Sequence, residues 1–305
     1  MTQTEDLTDI HRADWVEICL PRRWQPYARL ARIDRPVGIW LTLLPCLAAL
    51  VQAATSWPEP KRLLVFSLGA LIMRSAGSTA NDIADRNFDG HVERTRFRPL
   101  ATGRLRTRHA LIFLVAQLVL AAGLLPFLNH LTQSLAIGLL PLVFAYPFCK
   151  RFTHWPQVIL GAAFNWGMLM AWSDSRGFVP LGAIMMWLGA VAWQVGYDTV
   201  YAYVDMKDDR KLSLRSTAIL FGNQGRFWVG VFYLFAVAGW VFAGWSFSAP
   251  PGYFIVLVFV SLHLGWQVYK LDITRPTLNF NLFRANVATG GLLLLASIIG
   301  QLHLF

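Results

Sequence analysis

Charged residues are scarce in this 305-residue chain. Only 14% of positions carry Asp, Glu, Lys or Arg, against 55% hydrophobic ones, where an average soluble chain is about 25% charged. That shortage excludes a disordered polar chain and argues against a soluble globular enzyme. Cysteine is equally thin. Cys19, Cys46 and Cys149 are odd in number and far apart, so neither a disulfide framework nor a thiolate metal site is expected. No GxxxxGKS/T loop and no GxSxG elbow occurs, which removes P-loop nucleotide hydrolysis and acyl-enzyme chemistry. The histidines show no ligand spacing. No Gly/Ser linker divides the chain. The start carries acids rather than a basic stretch before an apolar run, so no cleavable signal peptide is expected.

What the chain does have is apolar sequence in long runs. Segments of bilayer-crossing length, about 17–25 residues each, fall at 36–56, 62–80, 109–128, 131–148, 156–174, 180–203, 227–248, 252–269 and 284–305. Nine spans leave a head of residues 1–35, short loops and no room for a soluble domain. Residues 36–305 therefore read as one all-α membrane bundle, since helices satisfy their own backbone groups within lipid. Pro36, Pro156 and Pro180 open spans, as first-turn prolines do. Pro45 and Pro141 fall inside spans, where they can kink a helix.

The net charge of +10 would suggest nucleic acid in a soluble chain. Here the basic residues sort by side instead. Of 27 Lys and Arg, 23 lie in the head and in loops 81–108, 149–155, 204–226 and 270–284; Lys61, Arg62 and Arg176 lie on the other side, and Arg74 falls within a span. The positive-inside rule places the head and these loops in the cytoplasm. No nucleic-acid partner is expected.

Eight of the 17 acids gather at the cytoplasmic ends of two spans. NDIADRNFDGHVE holds Asn81, Asp82, Asp85, Asp89 and Glu93; YDTVYAYVDMKDD holds Asp198, Asp205, Asp208 and Asp209. Offsets of three and four residues predict that Asp82, Asp85 and Asp89 line one helical face, and that Asp205, Asp208 and Asp209 line another. A stripe of carboxylates near a low-dielectric boundary repels itself, so each needs a cation. Oxygen-only clusters suit Mg²⁺, which binds through one or two carboxylates together with substrate phosphates. Two facing stripes would clamp a diphosphate. Arg86, interleaved with the first stripe, is placed to grip an anion. Tyr146 and Lys150 are i, i+4 neighbours in a third basic segment with Arg151, although Pro147 puts a regular helix there in question.

These segments resemble the UbiA-type membrane prenyltransferases. The resemblance runs from about residue 27 to 300. It is carried by RIDRPVGIWLTLLP, RSAGSTANDIADRNFDGHVERTRFRPLATG, YPFCKRFTHWPQVILGAAFNWG, GYDTVYAYVDMKDDRKLSLRSTAILFG and FRANVATGGLLL, in the family's order. It implies nine transmembrane helices around a central cavity, in a bacterial inner membrane, with the active site facing the cytoplasm. It implies Mg²⁺ and a polyprenyl diphosphate at NDxxDxxxD, which falls on Asn81, Asp82, Asp85 and Asp89, and at DxxxD, which falls on Asp205 and Asp209. The family's YxxxK falls on Tyr146 and Lys150. Arg86 and Arg151 match positions that hold either an aromatic acid's carboxylate or the diphosphate. The implied reaction transfers a polyprenyl group to the carbon ortho to the hydroxyl of 4-hydroxybenzoate, in ubiquinone biosynthesis, with Asp198 as partner of the phenol or of the departing proton. Two alternatives stand beside it. One is the same chemistry on another aromatic acceptor. The other is a transporter, which would carry its acids near the bilayer midplane. Residues 1–25 carry no resemblance.

Overall fold

Proline and glycine cut the apolar runs into helices. The computed structural model describes Ile10 and residues 14–302, so positions 1–9 and 11–13 of the head, Arg12 among them, and the tail 303–305 of the last expected span lie outside the described residues. Two short helices, α1 (Trp15–Cys19) and α2 (Gln25–Leu30), come first. Then follow α3 (Val37–Ala53), α4 (Pro60–Asp85), α5 (Thr107–Ala122), α6 (His130–Cys149), α7 (Pro156–Arg176) and α8 (Leu181–Lys211). A short α9 (Thr217–Phe221) precedes α10 (Gly225–Ser246), α11 (Pro251–Lys270) and α12 (Pro276–Gln301). No strand occurs among the described residues.

A long helix therefore stands at each of the nine expected spans. Six are long and apolar enough to cross a membrane by length and composition: α4, α5 with the turn after it, α6, α10 with α9, α11 and α12. The apolar α3 has only 17 residues. In α7 and α8, Asn165, Gln194, glycines and tryptophans dilute the hydropathy. Both are enclosed by other helices, α7 by α3, α6 and α8, and α8 by α7, α10 and α12. Polar groups are tolerated where a helix meets protein rather than lipid, and the Asn165 amide donates to Gln194 Oε1 at 2.8 Å. Conversely, Ile112, Val119, Leu234, Phe235 and Leu262 are exposed around the outside, as a lipid-facing surface requires.

The pairing of α8 with α10 shows its logic in the sequence. Gly182, Gly189 and Gly196 of α8 recur every seven residues. They face Ser246 and Phe247, then Ala236 and Trp240, then Tyr233, descending along α10 as α8 ascends. The two helices are antiparallel and their backbones approach closely. A Cβ at Gly239 would lie 2.7 Å from the Met185 carbonyl oxygen and 3.0 Å from the Gly189 Cα.

The head is folded against the acidic end of the bundle. Leu30 packs with Leu105 and Ala110, flanked by Tyr27, Ile83, Leu100 and Phe113. Tyr27 and Phe113 meet edge to face at 5.3 Å. The Ser75 hydroxyl of α4 donates to the Ala31 carbonyl at 3.1 Å. Arg32 follows with φ of 59°, a left-handed conformation that costs a non-glycine residue roughly 1–2 kcal/mol.

Two expectations need correction here. The helices outrun their spans: α4 continues to Asp85 and α8 to Lys211, eight residues or about 12 Å past position 203 at 1.5 Å per residue. The first acidic stripe is not one helical face. α4 stops at Asp85, Arg86 is its C-cap, and Asp89 opens a separate 3₁₀ turn, Asp89–His91. Carboxylates at a helix C-terminus oppose the macrodipole, and Asn87 and Gly90 are poor helix formers. Pro147, by contrast, does not interrupt α6, which runs through it to Cys149 with Lys150 as C-cap.

Candidate active site

The ends of α4, α6 and α8 meet at one end of the bundle, joined by loop 86–106. Four of the carboxylates there, Asp82, Asp85, Asp89 and Asp205, have each found a cation. Asp85 Oδ2 accepts from the Asn81 amide at 3.1 Å and from the Lys150 ammonium. Its other oxygen is buried with no hydrogen-bond partner. Asp205 is clasped by Arg94, whose Nε and Nη2 donate to it at 2.9 and 2.6 Å. Arg94 also lies 4.9 Å over the Tyr201 ring. Arg98 Nη1 donates to Asp82 at 3.0 Å and to both oxygens of Asp89 at 3.1 Å. The Glu93 amide donates to Asp208 at 3.2 Å, which ties the loop to α8.

Asp209 shows that the two acidic segments converge. It lies beyond the membrane-crossing part of α8. Burial, aided by the nearby Asp205 and Asp85, pushes its carboxyl up to about 7, against the pull of Lys150 and Arg94. The same groups surround it from α4, α6, α8 and the loop. Deeper along the helices, Asp198 senses Arg94, Arg74 and Asp205, and Tyr146 senses Asp198, Asp85 and Arg74.

The donors are carboxylates and one amide, the hard oxygen set that Mg²⁺ prefers. Among the described residues, no three His, Cys, Asp or Glu side chains stand close enough to hold an ion in this arrangement, in which Lys150 pairs with Asp85 and Arg94 with Asp205. The unpartnered Asp85 oxygen and the crowding that raises Asp209 both favour an added cation. The residues present fit the metal.

Asn81, Asp85, Asp89, Asp205 and Asp209 are thus brought together with Lys150, and Tyr146 and Asp198 lie just beneath. Asp82 stands apart, paired with Arg32 at 2.6 Å and with Arg98. Arg86 and Arg151 form no ion pair with the cluster. Both are exposed, donating at 2.8 Å to the Ile83 and Ala84 carbonyls at the end of α4, and Arg151 lies over Phe88 and Phe148.

Sequence reasoning passed over Arg32, Arg94, Arg98 and Arg74. The first three merged into the arginines that set topology. Arg74 had a signal: a cation inside an apolar span is a functional-site candidate by default. Its guanidinium hydrogen-bonds Ser78 and lies 4.8 Å over Phe164, its Nε is buried without a partner, and it presses on Gly38, where any Cβ would collide with it.

Comparison with known proteins settles the family. Residues 42–290 match the UbiA prenyltransferase family. The chain belongs to that family. It is therefore an enzyme of prenyl transfer. A mitochondrial 4-hydroxybenzoate polyprenyltransferase of Drosophila melanogaster is 41% identical over 281 residues, 91% of this chain and 72% of that protein. A 4-hydroxybenzoate octaprenyltransferase of Pseudomonas aeruginosa is 42% identical over 266 residues, 87% of this chain and 90% of that one. Among solved structures, a UbiA homolog from Aeropyrum pernix K1 superposes with a TM-score of 0.71 at 22% identity, covering 83% of this chain and 95% of its own. A UbiA homolog from Archaeoglobus fulgidus, bound to GPP and Mg²⁺, gives 0.66 at 17%, covering 88% and 99%. The all-helical UbiA fold is shared.

Proposed function

We propose that this protein transfers a polyprenyl group from polyprenyl diphosphate to the carbon ortho to the hydroxyl of 4-hydroxybenzoate, in ubiquinone biosynthesis. The observation that carries it is the convergence of Asp85, Asp205 and Asp209 around Lys150, in a chain about 41% identical to enzymes named for that reaction.

Asn81, Asp85, Asp89, Asp205 and Asp209 would hold Mg²⁺, which supplies charge neutralisation of the departing diphosphate as a Lewis acid. Lys150 and Tyr146 donate hydrogen bonds to the same diphosphate oxygens, preorganised by the pairing of Lys150 with Asp85. The C1–O bond of the prenyl chain breaks with its electron pair going to the diphosphate. The ring carbon of the acceptor forms the new bond to C1. Asp198 holds the phenol and takes the ring proton, which restores aromaticity. Arg74 is the cation for the acceptor's carboxylate: its Nε is buried and unused as a donor, and it shares its surroundings with Asp198. The isoprenoid tail lies in lipid, where each buried CH₂ contributes about 0.8 kcal/mol. The charge asymmetry of the loops supports an inner-membrane orientation with this site in the cytoplasm.

Supplying purified protein with 4-hydroxybenzoate, a prenyl diphosphate and Mg²⁺ tests the reading. Diphosphate release and prenylated product are expected only when all three are present. Asp205→Asn should lower kcat by about 10²–10³, the usual loss for a group that stabilises developing charge, with the melting curve unchanged. Near-normal turnover of that variant at saturating Mg²⁺ would remove Asp205 from the metal site. A naphthoate or homogentisate accepted in place of 4-hydroxybenzoate would move the assignment to another acceptor.

A further inference from the structure

Asp82 sits in the acidic motif, yet its geometry differs from that of its neighbours. It is fully buried. Its Oδ1 accepts from Arg32 Nη2 of the head at 2.6 Å and from Arg98 Nη1 of the loop at 3.0 Å. The same Arg98 nitrogen reaches both oxygens of Asp89 at 3.1 Å. A continuous chain of charges therefore runs from the head, through Asp82 and Arg98, to Asp89.

The head is built to deliver its end of that chain. Arg29 is buried and gathers Asp14 at 2.8 Å, Glu17 at 3.3 Å and Asp34 at 3.2 Å. Arg32 Nη1 donates to the Arg29 carbonyl at 3.1 Å. The left-handed backbone at Arg32 is a conformation that side chains avoid unless surrounding contacts impose it. Here the turn aims the guanidinium at Asp82. Ser75 and the Leu30 cluster hold the turn against α4 and α5.

We infer that Asp82 is a positioning residue rather than a metal ligand. With Arg32 it fixes Arg98, and through Arg98 it fixes Asp89 for the metal, so the N-terminal head is part of the active site. This rests on the reading that the acidic cluster holds a metal–diphosphate complex. Partners one step behind a ligand orient it, and their loss weakens metal binding without removing the ligand.

The test is Mn²⁺ binding to detergent-purified full-length protein in the presence of inorganic diphosphate, followed by electron paramagnetic resonance. Arg32→Gly deletes the guanidinium, accepts the left-handed backbone without strain, and leaves Asp82 its pair with Arg98; thermal melting checks that the variant is folded. Expected losses of Mn²⁺ affinity are about tenfold for Arg32→Gly and for Asp82→Asn, with the double variant no weaker than the weaker single. Arg32→Lys should recover most of the affinity, and KM for 4-hydroxybenzoate should stay within about twofold in every variant. Wild-type affinity in Arg32→Gly overturns the inference, as do losses that add in the double variant, which would make Asp82 a ligand in its own right. Should Asp82→Asn fail to fold, Arg32→Gly and Arg32→Lys decide alone. Asp85→Asn is the separate control: if it leaves Mn²⁺ binding unchanged, the metal reading itself fails, whatever Arg32 does.

Discussion

Asp209 is held where ionisation is costly, and that sets a pH dependence. Its carboxyl is raised to about 7 by burial and by Asp205 and Asp85, well above its value in an unfolded chain, near 3.9. For an acid with a raised folded value, the contribution to stability is fully present below the unfolded value and is lost as pH rises through about 7. Metal binding requires the ionised form. The metal-free protein should therefore melt lower at pH 8 than at pH 6, and added Mg²⁺ should raise the melting temperature more at pH 8 than at pH 6. An equal Mg²⁺ effect at both would separate Asp209 from the metal. A second outcome at this scale concerns the acceptor's carboxylate. Arg74→Met should raise KM for 4-hydroxybenzoate more than about tenfold, the usual cost of losing a charged hydrogen bond, with KM for the prenyl diphosphate little changed. Arg151→Ala should leave KM for the acid near wild type, because its guanidinium serves the end of α4. Steady-state kinetics with each substrate varied in turn distinguishes the two.

Helices associate in lipid by close packing of small residues rather than by a hydrophobic drive, and α8 with α10 depends on it. Gly239→Ala places a Cβ 2.7 Å from a backbone oxygen of α8, which backbone alone must relieve. A loss of about 1–3 kcal/mol is expected, as for other overpacked sites. Gly265 of α11 has open space where a Cβ would go. The same substitution there should stabilise by up to about 1 kcal/mol through helix propensity. Opposite signs in reversible unfolding from mixed micelles would confirm that α10 meets α8 at this face. The element scale also explains why the acids sit where they do. α4 and α8 continue past their apolar stretches as helix, carrying Asp82, Asp85, Asp205 and Asp209 beyond the lipid-facing surface while keeping them on rigid backbone.

For the whole molecule, one end of the bundle concentrates the chemistry. The head, loop 86–106 and the ends of α4, α6 and α8 all lie there, and among the described residues the acids of a transporter's midplane have no counterpart apart from Asp198 at the site's lower edge. Orientation in the membrane is open to a direct measurement. Cys19 of the head is exposed, and Cys46 and Cys149 are buried. A membrane-impermeant maleimide should label Cys19 in inside-out vesicles and leave intact cells unlabelled. Labelling of intact cells would place the head and the site outside.

The sequence by itself determined the helices and the end of the bundle that carries the acids. Hydropathy acts over about 20 contiguous residues, and loop charge acts additively on topology, so both can be read without knowing any contact. The motif NDxxDxxxD named four groups and told nothing of how they divide. Only the tertiary structure decided that Asp85 meets Lys150, 65 positions away, that Asp205 meets Arg94, 111 away, and that Asp82 turns to Arg32, 50 away. Asp89, four residues after Asp85, reaches the cluster through a turn and not along a helix face. Pairings of this kind depend on which cation the packing brings within about 3 Å, and a basic loop offers many of equal charge. Charge alone could not choose among them; the burial of Arg32 and Arg98, and the exposure of Arg86 and Arg151, did.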